Sequence, residues 1–292
     1  MPQKKKMIVL GGEGLLGSDF LKKNTLSDWQ IICHGRSAGS QAQADLSDRE
    51  QTCAMLDKIE PDAVLNLVGL TNVDRCELFP NEAYTANVKT VENIVYWVKQ
   101  ADKPVFFVHV STDQVYDGAG LHKESEVSLK NYYAFSKYAG ELVALGANGL
   151  VLRTNFFGKS RSTKRSSLTD WLYKSLKDSL RIQVFKDVKF SPLSMTSLSE
   201  MISLAVRKEI KGVYNLGART GMSKADFAYC FAEQLNLDAR LMTRISSNDV
   251  DFLKTYRPKD MRMDVDKFEN AVGVVLPDLV DEIKKASKEY LK

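Results

Sequence analysis

The sequence predicts an α/β fold with a doubly wound parallel sheet, because short apolar runs alternate with helical patterns along the first half of the chain. A strand that is buried on both faces reads as such a continuous apolar run. The runs cover residues 7–10, 30–34, 61–69, 105–110 and 149–153. We therefore expect a Rossmann-type sheet within residues 1–158. Residues 159–292 should complete the sheet and form a smaller C-terminal substrate lobe.

Amphipathic patterns place helices between these strands and over much of the remaining chain. Helices are predicted over residues 15–21, 47–59, 82–100, 133–144, 168–180, 198–206, 224–235 and 280–290. Two further short strands are predicted at residues 182–185 and 213–216, and a basic, serine-rich, exposed loop at residues 159–165. The strands of the first half run parallel in this prediction, since a crossover helix separates each from the next.

The composition allows a sizeable core and excludes several classes of function. Hydrophobic residues make up 44% of the 292 residues, and the net charge of +4 is spread along the chain. Such a mild charge does not indicate a nucleic-acid partner, and no apolar run approaches the ~20 residues of a membrane span. Four cysteines without a C-x-x-C pair, and three histidines, give no metal-site or disulfide pattern. We expect a cytoplasmic protein without nucleic-acid, membrane or metal partners.

A glycine motif lies between the first strand and the first helix, where residues 11–17 read Gly-Gly-Glu-Gly-Leu-Leu-Gly. In this context the motif is typical of a dinucleotide site. Gly11 permits the tight turn, Gly14 lets the backbone approach a pyrophosphate, and Gly17 lets helix and strand pack closely. The helix then begins at Leu15 and Leu16 with free N–H groups facing the phosphates. The alternative is a glycine-rich turn without a ligand.

The residues after the second strand bear on the choice of nicotinamide cofactor. Dinucleotide-binding proteins commonly place an acidic residue there to hold the ribose hydroxyls. This chain has Arg36 and Ser37 instead, which would suit a 2′-phosphate better than a bare ribose. We therefore predict NADP(H), with NAD(H) as the other option. Asp45 and Leu46 could touch the adenine edge, although Asp45 could equally cap the following helix.

Polar residues at the ends of the third, fourth and fifth strands mark the ligand edge, because ligands bind outside the carboxyl ends of a parallel sheet. Ser111 and Thr112 follow the fourth strand, where a hydroxyl could bond a substrate oxygen or merely cap the junction. Val68 and Gly69 are assigned to the cofactor, and Thr71, Asp113, Gln114 and Asn155 to the substrate.

Tyr133 and Lys137 are four residues apart, so they share one face of a helix and can point into one site. A free tyrosine has a pKa of about 10, which is too high for easy proton transfer at neutral pH. A nearby ammonium favours the phenolate and lowers that pKa. We interpret Tyr133 as a general acid or base and Lys137 as the residue that tunes it; the alternative is a solvated helix face.

Together these motifs resemble the extended short-chain dehydrogenase/reductases, and among them most closely the dTDP-4-dehydrorhamnose reductase family. The resemblance covers most of the chain. It rests on Gly11, Gly14 and Gly17, Pro61-Asp62 with Asn66, Val73-Asp74 with Glu77, Ser111-Thr112-Asp113 with Asp117-Gly118, Tyr133, Lys137, Ala139-Gly140-Glu141, Arg153-Thr154, Ser191-Pro192 and Arg257-Pro258. It implies reduction of a 4-keto nucleotide sugar by NADPH in deoxysugar and polysaccharide biosynthesis. It also implies roles for three residues. Thr112 orients the carbonyl, Tyr133 protonates the alkoxide, and Lys137 holds the nicotinamide ribose. A homodimer is a possible assembly.

The chain departs from the family pattern at two positions near the sugar pocket. Gln114 replaces the usual tyrosine, and Phe190 replaces the usual glycine before Ser191, so the sugar stays open. The similar 4,6-dehydratases carry a glutamate where this chain has Gln114, and an amide cannot take a proton. Two alternatives remain: a nucleotide-sugar epimerase, and an NADP-binding regulatory subunit like the β subunit of methionine adenosyltransferase, which resembles the same family.

Overall fold

The computed structural model describes residues 4–23, 25–37, 39–162 and 165–291. Its strands are β1 (Lys5–Leu10), β2 (Trp29–His34), β3 (Ala63–Asn66), β4 (Phe106–Val110), β5 (Leu150–Thr154), β6 (Phe156–Phe157), β7 (Ile182–Phe185), β8 (Lys189–Phe190), β9 (Leu193–Ser194), β10 (Gly212–Leu216), β11 (Met222–Ser223) and β12 (Met242–Ile245). Its α-helices are α1 (Leu15–Lys22), α2 (Arg49–Ile59), α3 (Val73–Leu78), α4 (Pro80–Tyr84), α5 (Thr90–Gln100), α6 (Tyr132–Leu145), α7 (Leu168–Lys177), α8 (Met195–Lys208), α9 (Lys224–Gln234), α10 (Asp266–Val272) and α11 (Leu279–Ser287).

Six parallel strands form the central sheet in the order β10–β5–β4–β3–β1–β2. The chain moves from β1 outward to β2 and then returns to the other side of β1 at β3, so the winding direction reverses between β1 and β3. In register, Leu10 pairs with both His34 and Asn66, and Asn66 pairs with His109. The segments that follow β1, β2, β3 and β4 therefore leave the sheet at one edge, beside the switch point. The predicted doubly wound sheet is confirmed.

The apolar run of β1 is continuous because each face of the sheet meets a separate core. Met7 and Val9 pack into one core with Phe20 and the C-terminal helices, whereas Ile8 and Leu10 pack into a second core. Helices on both faces of a parallel sheet require such two-sided burial. None of the helices within the described ranges is long and apolar enough to cross a membrane.

The second half of the chain contributes both to the sheet and to smaller sheets beside it. Strand β10 pairs with β5 at one edge of the main sheet. The pairs β8–β11, β7–β12 and β6–β9 form three two-stranded sheets. The predicted strands at residues 182–185 and 213–216 are confirmed as β7 and β10. The predicted boundary at residue 158 stays a prediction.

Three hydrogen bonds bring residues 255–259 of the second half onto loops at the ligand edge of the sheet. The Thr255 amide and the Arg257 guanidinium both donate to Asp74, at 3.0 and 2.8 Å. The Lys259 amide donates to Asp117 at 2.8 Å. The crevice above the carboxyl ends of the strands is therefore walled by both halves of the chain.

The single helix predicted over residues 82–100 is wrong in one respect. A π-helical turn, Thr85–Lys89, separates α4 from α5. Helix α6 packs closely on this turn, since a Cβ on Gly140 would lie 2.4 Å from the Asn87 carbonyl oxygen. This widened turn is a frequent feature of functional sites, and it places Asn87 beside the predicted active site.

Candidate active site

The glycine turn after β1 has the geometry that a pyrophosphate requires. Gly11 has φ +78°, a backbone conformation that favours glycine. A Cβ on Gly17 would lie 2.5 Å from the Gly11 oxygen, so helix α1 can pack on the turn only without a side chain there. Gly14 is the N-cap of α1 and, having no side chain, makes no capping hydrogen bond.

Helix capping supports an anion at this turn. Most other helices of the described chain have a side-chain N-cap, namely Asp48, Asn72, Asn131, Ser167, Ser194 and Ser223. The first turn of α1 has neither a capping side chain nor an acidic residue. Its N–H groups, at Leu15 and Leu16, therefore lack an intrahelical acceptor and can bind phosphate oxygens. The residues present fit a dinucleotide.

The segment after β2 lies against this glycine turn. Arg36 is exposed, and the Ser37 hydroxyl donates to the Glu13 carboxylate. The cap alternative for Asp45 is wrong, because Asp48 caps α2 and the Asp45 carboxylate instead accepts from the amide and hydroxyl of Ser47 at 2.9 and 2.7 Å.

The side chain of Leu46 is buried in the second core, so only its backbone can reach the ligand edge. Its carbonyl oxygen already accepts from the Asn93 amide at 3.0 Å. The Leu46 side chain is therefore not placed to contact adenine.

The loop after β3 passes over Lys137. The Val68 amide donates to the Asn66 side chain at 3.0 Å, which turns the chain out of the sheet. A Cβ on Gly69 would lie 3.7 Å from the Lys137 ammonium. The predicted cofactor residues Val68 and Gly69 thus lie directly beside one of the predicted catalytic residues.

Asn87 holds this loop in place, and sequence reasoning missed it. Its side-chain oxygen accepts from the Leu70 amide at 2.7 Å, and its amide nitrogen donates to the Leu70 oxygen and to Ser136 at 3.1 and 2.9 Å. Asn87 therefore links the loop after β3 to the helix that carries Tyr133. Nothing in the sequence marks Asn87 as a site residue, because an asparagine within a long helical pattern is common.

Tyr133 and Lys137 lie one turn apart on α6, and both side chains are buried. The Lys137 ammonium donates to the Val110 oxygen at 2.8 Å. Burial lowers the pKa of Lys137 to about 8, and the Glu141 carboxylate opposes that shift. The solvated-face alternative is wrong for these two residues.

The expected lowering of the tyrosine pKa by Lys137 is not what the structure shows. Burial raises the pKa of Tyr133, because a phenolate there would lose its hydration. The hydroxyl of Thr112 interacts with the phenol and acts in the opposite direction. The Lys137 charge is instead directed at the Val110 carbonyl. Tyr133 is therefore held as a protonated phenol next to Thr112.

Thr112 lies at the carboxyl end of β4. It caps the junction between this strand and the following loop, which was one of the two roles predicted for it. Its hydroxyl oxygen accepts from the Gln114 amide at 3.2 Å and begins a single 3₁₀ turn, Asp113–Val115. The same hydroxyl faces Tyr133, so capping and a chemical role are compatible.

Asp113 and Asn155 join the ends of β4 and β5. The Asn155 amide donates to the buried Asp113 carboxylate at 2.7 Å. Burial raises the pKa of Asp113 to about 6, although Asn155 and the charge of Lys224 both act to lower it. The side-chain oxygen of Gln114 is buried without a hydrogen-bond partner among the described residues. Of the predicted substrate residues, only Thr71 is exposed, at the start of the loop before α3.

Two cations of the second half reach this crevice. Lys224 begins α9, and burial lowers the pKa of its ammonium, which interacts with Asp113 and with Arg257. Arg257 is held by Asp74, as described above. Arg257 belongs to the Arg257-Pro258 motif that the chain shares with the reductase family, whereas Lys224 is a single lysine outside any such motif. Only the fold brings it to the end of β4.

A buried ion pair supports the back of α6. The Glu141 carboxylate binds the Arg153 guanidinium at 2.7 Å, and the Ser111 hydroxyl also donates to Glu141. Arg153 donates in turn to the Tyr116 hydroxyl at 2.7 Å. These bonds connect α6 to the ends of β4 and β5, which fixes Tyr133 and Thr112 relative to each other.

A Rossmann-type sheet with a glycine turn at β1, and a buried tyrosine and lysine at its switch-point edge, defines an NAD(P)-dependent oxidoreductase of the extended short-chain type. The model of the RmlD substrate binding domain family matches residues 5–292, and the chain belongs to this family. It is thus an NAD(P)-dependent reductase of the nucleotide-sugar class.

Individual proteins that are similar to this chain have names consistent with this family. A probable low-salt glycan biosynthesis reductase of Haloferax volcanii is 25% identical over 289 residues, which cover 94% of this chain and 95% of the relative. A dTDP-4-dehydrorhamnose reductase of Shigella flexneri is 27% identical over 265 residues, covering 84% and 85%. The crystal structure of dTDP-4-dehydrorhamnose reductase from Bacillus anthracis in complex with NADP has a TM-score of 0.89 at 20% identity. The match covers 98% of this chain and 100% of that one, and it shows the same fold.

Proposed function

We propose that this protein reduces the 4-keto group of a nucleotide-linked sugar with NADPH, and that the sugar is dTDP-4-dehydrorhamnose or a related deoxysugar. The observation that carries the proposal is the meeting of Thr112 and Tyr133 at the carboxyl end of β4, beside the buried Lys137. The names of the relatives support the substrate class. As an enzyme of nucleotide-sugar metabolism, the protein is expected to act in the cytoplasm.

In this proposal, the cofactor is held along the switch-point edge. The residues that would hold it are Gly11, Gly14, Leu15, Leu16, Gly17, Arg36, Ser37, Val68, Gly69, Tyr133 and Lys137. The bound nicotinamide supplies the hydride that adds to the carbonyl carbon. The preference for NADP(H) over NAD(H) is supported by Arg36 and Ser37 after β2, and by the NADP in the Bacillus anthracis structure.

Tyr133 supplies the proton in this mechanism. A phenol whose pKa is raised by burial stays protonated through neutral pH, so it can donate to the oxygen that becomes an alkoxide. The Thr112 hydroxyl donates to the Asp113 carboxylate at 3.3 Å in the structure, and by turning toward the substrate it becomes a second donor for the same oxygen. Both are fixed before the substrate arrives, by Asn131 capping α6 and by the 3₁₀ turn after Thr112. Preorganised donors of this kind stabilise negative charge as it develops.

Lys137, Lys224 and Arg257 supply positive charge to the site. At neutral pH, Lys137 with a pKa of about 8 is mostly protonated, and it uses one of its three N–H groups on Val110. The others remain for ribose hydroxyls or for the phenol. Lys224 and Arg257 place positive charge in the crevice, where a nucleotide diphosphate would need it.

The test is turnover by the purified protein with a panel of enzymatically prepared 4-keto nucleotide sugars, with dTDP-4-dehydrorhamnose first. We expect oxidation of the reduced nicotinamide with at least one of them, and an alcohol at C4 in the product. Interconversion of sugars without net cofactor oxidation would instead indicate an epimerase. Tight cofactor binding without turnover of any sugar, together with co-purification of a larger enzyme, would indicate the regulatory subunit.

A further inference from the structure

Phe190 is one of the two positions where the chain departs from the family pattern, and no step of the proposed mechanism uses it. Its side chain is 2% exposed and lies in the first core, where its ring packs edge-on against Phe227 with the centroids 5.3 Å apart. The aromatic side chain therefore does not fill the sugar pocket. Its ring instead lies beneath the side chain of Lys224, whose ammonium nitrogen is 5.9 Å from the ring centroid.

The backbone around Lys224 is tied to the strand that carries Phe190. Strands β8 and β11 pair so that Met222 lies opposite Phe190, and the Lys224 amide donates to the Val188 oxygen at 2.8 Å. The start of α9 and the aromatic ring are therefore fixed relative to each other. A cation over an aromatic face is attracted by the ring quadrupole, and the attraction is larger where water is excluded. The ring thus holds the ammonium in one place.

The Lys224 ammonium makes no hydrogen bond and no ion pair within the part of the chain that the structure describes, so its three N–H donors remain available. The side chain is half-buried, and its charge interacts with those of Asp113 and Arg257. Arg257 already donates to Asp74 and to the Thr255 oxygen, each at 2.8 Å. Two neighbouring cations repel each other, and an anion bound between them would offset that repulsion. The available donors of Lys224 therefore indicate an anionic ligand.

The place of Lys224 indicates which part of a nucleotide sugar it meets. Asp113 directly follows Thr112, whose hydroxyl faces Tyr133, so Lys224 lies near the end of the crevice where the keto sugar would react. The diphosphate is joined to that sugar. Its sugar-proximal phosphate is therefore the anionic group nearest to the reacting ring.

We propose that the Lys224 ammonium binds the sugar-proximal phosphate of the substrate, and that Phe190 is the positioning residue that holds the ammonium there. Arg257 supplies the second positive charge. With the glycine that the family usually has at position 190, no ring would lie beneath the ammonium, so Phe190 and Lys224 act as a pair. This inference rests on the substrate class of the proposed function and deepens it.

The experiment titrates dTDP, UDP, GDP and CDP into wild-type protein saturated with NADP⁺, with calorimetry as the readout, and continues with the diphosphate that binds most tightly. Lys224→Met should weaken its binding about tenfold or more, whereas Lys224→Arg, which keeps the charge, should stay within about threefold of wild type. The matching nucleoside monophosphate lacks the sugar-proximal phosphate, so Lys224→Met should leave its Kd unchanged. An equal loss for both nucleotides, an unchanged diphosphate Kd, or no binding of any diphosphate to wild type would overturn the proposal.

A second pair of variants tests the role of the ring. Phe190→Leu keeps an apolar side chain in the core and removes the aromatic face, so the diphosphate should bind about three- to tenfold more weakly. Phe231→Leu, the same change at a similarly buried ring on α9 that packs against Tyr290, should leave that Kd unchanged. A Phe190→Leu protein with a wild-type melting curve and wild-type diphosphate affinity would overturn the positioning role. Should Phe190→Leu not fold, Phe190→Met takes its place in the same titration.

The two proposals fail separately. The titrations need no turnover, so a protein that binds the diphosphate through Lys224 and reduces no sugar would contradict the reductase proposal alone. Reduction of a sugar by Lys224→Met at the wild-type KM would contradict the role of Lys224 alone.

Discussion

Asp113 carries a stability cost that can be measured. Its pKa is about 6 in the folded protein, above the ordinary aspartate value, because burial disfavours the charged form. Between those two pKa values the folded protein binds the proton more tightly than the unfolded chain does. The free energy of unfolding therefore falls as pH rises through this range, by about 3 kcal/mol in total. Above about pH 6 the loss is complete.

Asp113→Asn removes the titrating group while keeping an oxygen for the Asn155 amide. We expect the variant to be more stable than wild type at pH 7.5, by about 1–3 kcal/mol, and to lose that advantage toward pH 4. Urea unfolding at the two pH values measures it, with the exposed Asp102→Asn as the control. An equal stability difference at both pH values would show that Asp113 does not titrate in this way.

Lys137 sets the alkaline limit of activity in our account. Its pKa is lowered by burial to about 8, so its charge is present below that pH and is lost as pH rises through it. The phenol of Tyr133 titrates higher, because burial raises its pKa. We expect kcat/KM to fall above about pH 8, since this parameter reports ionisations of the unliganded enzyme. A profile that is flat to pH 9.5 would rule out the assigned role of the Lys137 charge.

Among the elements, the π-helical turn between α4 and α5 positions the site through Asn87. Its side chain makes hydrogen bonds to both backbone groups of Leu70 and to Ser136. Asn87→Ala leaves those partners unsatisfied, so we expect a loss of about 1–3 kcal/mol in the free energy of unfolding and weaker cofactor binding. Asn81→Ala, an exposed change on α4, is the control. Unchanged stability and affinity in Asn87→Ala would remove Asn87 from the site.

The elements that could be predicted are those whose signal is local. Strand β1 can be recognised from its run of apolar residues. The turn after it can be recognised from its glycines, because the conformation of Gly11 and the close packing at Gly17 both favour glycine. The π turn could not be predicted, because the residues 82–100 read as one continuous helical pattern and the turn's close contact with Gly140 involves another helix. The role of Lys224 could not be predicted either, because its place beside Asp113 depends on how α9 packs against the end of β4. The raised pKa of Tyr133 also depends on burial, which spacing alone does not reveal.

Across the whole molecule, an apolar surface on α6 and its neighbour α3 favours assembly. Phe135 and Leu142 lie seven residues apart on α6 and are 52% and 55% exposed, and Leu78 on α3 is 67% exposed. Exposed apolar side chains grouped on packed helices often mark a protein contact. We predict that the protein forms a homodimer through this surface.

Phe135→Asp combined with Leu142→Asp should therefore convert a dimer to a monomer. Analytical ultracentrifugation at micromolar concentration measures the change. Leu180→Asp, which alters an apolar residue of similar exposure after α7, should leave the mass unchanged. A wild-type protein that sediments as a monomer, or a double variant that stays dimeric, would contradict the prediction.

Proton donation by Tyr133 in the reduction of a keto sugar is tested most directly by comparing Tyr133→Phe with a change at the adjacent tyrosine, Tyr132→Phe. Turnover with the keto sugar and Kd for NADPH are measured for both variants and for wild type. Tyr133→Phe should lose roughly 10²–10⁴-fold in kcat and keep its cofactor affinity, whereas Tyr132→Phe should keep both. Wild-type turnover by Tyr133→Phe would contradict the assignment of Tyr133 as the proton donor.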